Sequence, residues 1–61
     1  MNQYSVSFQD DEGEEVEITG ETLGEIHSHL KRVEYEGPSL DVRDEHGFRV
    51  GFVNASGWWY L

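Results

Sequence analysis

The chain has 61 residues, 13 of them acidic and four basic, a formal net charge of −9 at neutral pH, and no cysteine. That length suits one domain around one modest core, and without thiols neither disulfides nor thiolate metal sites can hold it, so side-chain packing must. The charge argues against direct binding to DNA, RNA or an anionic membrane surface, all of which draw affinity from Lys and Arg, and makes a basic protein surface the natural complement.

The opening residues "MNQYSVSF" lack the basic start and continuous apolar run of a signal peptide. No apolar run approaches the roughly 18 residues needed to span a bilayer. A chain without cysteine also suits a reducing compartment, so the expectation is a cytoplasmic protein. Disorder is the other reading of high charge, but apolar alternation runs through most of the chain and argues for a folded domain over residues 1–61.

Tyr4, Val6 and Phe8 alternate with small polar residues, which is strand periodicity. Val16 and Ile18 alternate with Glu15, Glu17 and Thr19 in the same way. Between them "DDEG" supplies Gly13 for a positive φ, so the two runs predict a β-hairpin with an acidic loop. In "ETLGEIHSHLKRVEY", Leu23, Ile26, Leu30 and Val33 recur at three- and four-residue steps and mark one helical face. Thr22 with Glu25 fits a capping box, with Thr19 as the alternative cap. Early Glu21 and Glu25 and late Lys31 and Arg32 complement the helix dipole.

After "EGPS", Leu40 and Val42 form a third run. "DEHG" then reads as a turn before Phe48, Val50 and Phe52, and "NASG" as a turn before "WWYL". The order is ββαβββ, an α+β fold with an antiparallel sheet and one amphipathic helix packed on one face. Trp58 and Trp59 are adjacent, so a regular strand sends them to opposite faces. The expectation is one buried and one exposed, with Trp59 as the candidate aromatic anchor.

The stretch "QDDEGEEVE" (9–17) concentrates Asp10, Asp11, Glu12, Glu14, Glu15 and Glu17 without a cation. It does not fit an EF-hand, because Gly13 falls fourth from Asp10 where a calcium loop needs glycine sixth. The alternatives are a solvated turn or an acidic recognition surface. Acid recurs at Glu34 and Glu36 and at Asp41, Asp44 and Glu45, which favours recognition. Same-face residues in a strand are about 6.6 Å apart, so Glu15 and Glu17 present a short anionic rail.

His27 and His29 are two apart on a helix and diverge, so no metal site is expected, nor any cofactor. Ser28 beside His29 is not a nucleophile–base pair, and no catalytic constellation is visible, so the chain does not read as an enzyme. Asn54-Ala55-Ser56 matches a glycosylation sequon but reads as turn chemistry.

In size, absence of cysteine, and its "DDEGEEVE" and "DVRDE" clusters, the chain resembles small acidic anti-CRISPR proteins and other phage-encoded DNA mimics. The resemblance covers the general character of the whole chain and carries no residue roles. It implies a stoichiometric inhibitor occupying a basic nucleic-acid-binding surface of a bacterial defence complex, with a CRISPR effector or a nuclease as partner. The same electrostatics suit an immunity protein or antitoxin against a basic nuclease toxin, and an acid-rich composition also suits a halophilic accessory domain. The expected state is a monomer, or a homodimer through the aromatic edge.

Overall fold

The computed structural model describes residues 3–61 and places them in the expected ββαβββ order. Strands β1 (Tyr4–Gln9) and β2 (Glu15–Gly20) form a hairpin in which Val6 faces Ile18 and Phe8 faces Val16. Helix α1 (Leu23–Arg32) then leads to β3 (Leu40–Arg43), β4 (Arg49–Asn54) and β5 (Gly57–Tyr60). The sheet is antiparallel throughout, in the order β2-β1-β3-β4-β5. β1 therefore sits inside the sheet, and its seam with β3 is one register pair long, Ser5 with Arg43.

Both hairpins between β1 and β2 and between β3 and β4 close with the same loop. In the first, the Asp10 carboxylate accepts from the N–H groups of Glu12 and Glu14, both at 2.9 Å, and Gly13 takes φ 82°. In the second, the Asp44 carboxylate accepts from His46 and Phe48, again both at 2.9 Å, and Gly47 takes φ 87°. Each Gly N–H bonds back to the Asp carbonyl at 3.0 Å. The left-handed glycine is what a three-residue loop on a type I turn requires. "DDEGE" and "DEHGF" are thus one structural device, and its aspartate is a loop residue in both copies. At the β4–β5 turn, Asn54 accepts from the Ser56 N–H and donates to Ser39 Oγ, each at 2.8 Å, so its side chain braces the turn.

Thr22 caps the helix, accepting from the Glu25 N–H at 3.1 Å. The return arm of the capping box lands one residue early: Glu25 Oε2 accepts from Glu21 rather than from the cap. At the other end Tyr35 N–H reaches the Leu30 carbonyl and Glu34 N–H reaches that of Lys31, the two bonds of a Schellman motif. The left-handed position of that motif, usually glycine, is occupied by Glu34 at φ 57°.

The buried core is aliphatic: Val6, Ile18, Leu23, Ile26, Leu30, Val42 and Val53. No aromatic ring belongs to it. Tyr4, Phe8 and Tyr35 pack against its margin, while Phe48 is 71% exposed. Three expectations change accordingly. Val33 is the C-cap and is exposed rather than buried on the helical face. Phe48 falls in the loop, and β4 turns Gly51 and Val53 toward the helix while Phe52 takes the opposite face. The cause is a register shift at Val42/Arg43, which changes the parity expected from "FRVGF". Neither tryptophan is buried: Trp58 is 41% and Trp59 43% exposed. They do point to opposite faces, Trp58 over Gly24 of the helix and Trp59 stacked on Phe52 with ring centroids 5.3 Å apart.

Candidate functional site

From residue 10 to residue 25 the chain carries acid at positions 10, 11, 12, 14, 15, 17, 21 and 25 and no Lys or Arg. The fold makes this segment the first loop, the outer strand β2 and the helix N-terminus. Val16 and Ile18 turn toward the helix, so Glu15 and Glu17 stand on the open face of the sheet. Their cross-strand partners are Gln9 and Ser7, which offer no charge to neutralise them. The other side of β2 has no strand, so the row of glutamates forms an edge of the molecule.

A second acidic group assembles where the first loop meets the end of the helix. β1 runs toward this end, β2 away from it, and α1 back toward it, so Asp10 and Asp11 come together with Glu34 and Glu36. They line a cleft of about 540 Å³ together with the apolar side chains of Phe8, Val16, Val33 and Tyr35. The Phe8 and Tyr35 rings lie 4.8 Å apart at 55°. Tyr35 is held firmly: its hydroxyl donates to the Pro38 carbonyl at 2.6 Å, and a Cβ at Gly37 would come within 2.5 Å of that hydroxyl. Partial removal from water raises the Tyr35 pKa above its ordinary value.

The remaining candidates are dispersed. β3 runs opposite to β1, so Asp44 and Glu45 lie at the far end of the sheet from Asp10, Asp11 and Glu12. Asp41 is on the open face and pairs with Arg49 at 3.6 Å, the one ion pair among the described residues. Arg43 donates to the Gly47 carbonyl at 2.9 Å. Trp59 shares the open face with Glu15 and Glu17 but lies four strand spacings away, roughly 19 Å. Of the candidates, therefore, Glu15 and Glu17 form one group with the tip acids Asp11, Glu12 and Glu14 beside them. Asp10, Asp11, Glu34 and Glu36 form the cleft rim, and Asp41, Asp44, Glu45 and Trp59 join neither.

The apolar floor of the cleft escaped sequence reading, because Phe8 and Val33 read as core. Element order was the available signal: in a ββα unit the hairpin loop and the helix C-terminus share an end. Among the described residues no three His, Asp or Glu side chains converge on a point. His27 Nε2 lies 3.4 Å from the Ala55 carbonyl oxygen, and His29 and His46 are exposed. No helix among the described residues is long and apolar enough to cross a membrane. Comparison with protein-family models, with curated proteins and with solved structures finds no match in any of the three.

Proposed function

We propose that this protein is a stoichiometric inhibitor that covers a basic nucleic-acid-binding surface of another protein, as its resemblance to small acidic anti-CRISPR proteins implies. The observation that carries this reading is the acid of the β2 edge and the adjoining loop: among the described residues Asp11, Glu12, Glu14, Glu15 and Glu17 form no ion pair, and Glu15 and Glu17 face uncharged Gln9 and Ser7 across the hairpin. Like charges held on a small folded surface repel one another and cost stability. A basic groove relieves that cost, because each Lys or Arg it presents pairs with a carboxylate of the β2 edge or its loop. Duplex DNA carries about one charge per 1.7 Å of axis, and the rail of about 6.6 Å spacing is sparser. It therefore matches the sign and the linear arrangement of a phosphate backbone rather than its density.

The test is competition. Purified CRISPR effectors and basic nucleases are titrated with the protein in the presence of labelled DNA. The expected outcome is displacement of DNA at one-to-one stoichiometry, with association slowing as salt rises. Simultaneous binding of DNA and this protein to every such target would remove the proposal. Displacement from a nuclease toxin alone would move the assignment to an immunity protein.

A further inference from the structure

We infer that the cleft between the first hairpin loop and the end of the helix receives one arginine side chain from the basic partner. This inference rests on the reading above and names the part of the surface that recognises a single residue.

The cleft differs from the β2 edge in having both an apolar floor and an acidic rim. A carboxylate row on a flat strand attracts any cation through solvent. A cleft of about 540 Å³ lined by Phe8, Val33 and Tyr35 together with Asp11, Glu34 and Glu36 suits a ligand that is apolar along its length and cationic at its tip. Lys and Arg both have that shape. Arginine fits better, because its planar guanidinium stacks on an aromatic face, bonds carboxylates in pairs, and gives up its hydration more readily than an ammonium. The aromatic lining is already in place: Tyr35 is fixed by its bond to Pro38 and by contact with Gly37, and Phe8 packs against it.

Charge selects among occupants. A second copy would bring another net −9, and two of its four basic residues, Arg43 and Arg49, are engaged within their own hairpin. The protein's own Lys31 and Arg32, in the last helical turn, form no ion pair with the rim. An acidic or neutral segment would leave the rim acids facing one another.

The experiment uses the isolated protein labelled with ¹⁵N and three capped peptides, Gly-Gly-Xaa-Gly-Gly with Arg, Lys or Gln at the centre. With the Arg peptide, amide shifts should saturate at Phe8, Asp11 and residues 33–37 and stay small at Glu15 and Glu17. The Lys peptide should bind about fivefold more weakly, the scale of one aromatic–cation contact, and the Gln peptide should not saturate. Glu34→Gly and Glu36→Gln should each weaken the Arg peptide, and Glu34→Gly should do so while raising the melting temperature, so its loss is not unfolding. Equal shifts with Arg and Lys spread over the β2 glutamates, or full Arg affinity in both variants, would overturn the inference. Because no partner is present, the readout stands apart from DNA competition. Arg capture without any competition counts against the inhibitor reading alone, and competition with no saturable cleft shift counts against this inference alone.

Discussion

The two edges of this sheet are built on opposite rules. β2 carries Glu15 and Glu17 on its open face and no aromatic residue, whereas β5 is "GWWY", four residues without a charge. Each strand has a neighbour on one side only. An exposed strand edge invites pairing with another chain, and proteins restrain it with charge or with brevity. β2 uses charge and β5 is short. On β5 the rings are occupied within the fold: Trp59 stacks on Phe52, and Trp58 lies over Gly24 and meets Tyr60 edge-on at 5.6 Å. The glutamates of β2 form no ion pair among the described residues and face uncharged Gln9 and Ser7 across the hairpin. Removing side chains from the two edges should therefore have unlike consequences, folding at β5 and association at β2.

The largest effect is expected where β5 and the helix press on β4. A Cβ at Gly51 would overlap the Trp59 carbonyl oxygen and stand 2.9 Å from Leu23 Cδ2. Gly51→Ala should cost about 3 kcal/mol, at the upper end of overpacking penalties, read from the urea midpoint. An unchanged midpoint would mean that β5 is not seated as described. Trp59→Ala should come next, at about 2 kcal/mol rather than the 3–5 of a fully buried ring, because the side chain is nearly half exposed. A loss no larger than that of an exposed loop residue would mean that the Phe52 stack adds nothing to the fold.

At the acidic end the signs reverse. Glu34 occupies a left-handed position that costs a side chain about 1 kcal/mol or more and glycine nothing, so Glu34→Gly should stabilise the domain by roughly 1 kcal/mol. A destabilised Glu34→Gly would mean that the carboxylate serves the fold, which would blur the contrast between the two edges. The triple variant Glu14→Gln, Glu15→Gln, Glu17→Gln should change stability by no more than about 0.5 kcal/mol, upward, and flatten the gain that moderate salt gives the parent. The same variant should associate more slowly with its partner. Full partner affinity in a folded triple variant would reduce β2 to a solvated edge.

Tyr35 supplies a check on the cleft itself. Its phenol pKa is raised in the folded state, so the unfolded chain loses that proton first. Its contribution is complete below the unfolded value of about 10 and is lost as pH rises through the folded value. Stability above pH 10 should therefore fall in the parent and fall less in Tyr35→Phe, followed by urea midpoints across that window.

Much of this architecture is legible residue by residue. Alternation in "YSVSF" and "VEI", the three- and four-residue steps from Leu23 to Leu30, the Thr22 cap, and the glycines of "DDEG" and "DEHG" are local signals. Each acts over a few residues through backbone geometry, so each is realised where it was expected. The acidic character of β2 follows as well, since Val16 and Ile18 leave Glu15 and Glu17 only the other face. Tertiary structure decided what depends on distant partners. Sheet order was one such matter, because β1 and β3 are separated in the chain by β2 and α1, and no local pattern says that they pair. The parity of β4 was another: Gly51 lets Leu23 and the β5 backbone come close, and the register shift at Val42/Arg43 sets Val53 rather than Phe52 into the core. The cleft was the third. Phe8 and Tyr35, and Asp11 and Glu36, are far apart in the chain and meet because hairpin and helix end on the same side of the sheet, a contact that burial of the aliphatic core enforces and no local pattern encodes.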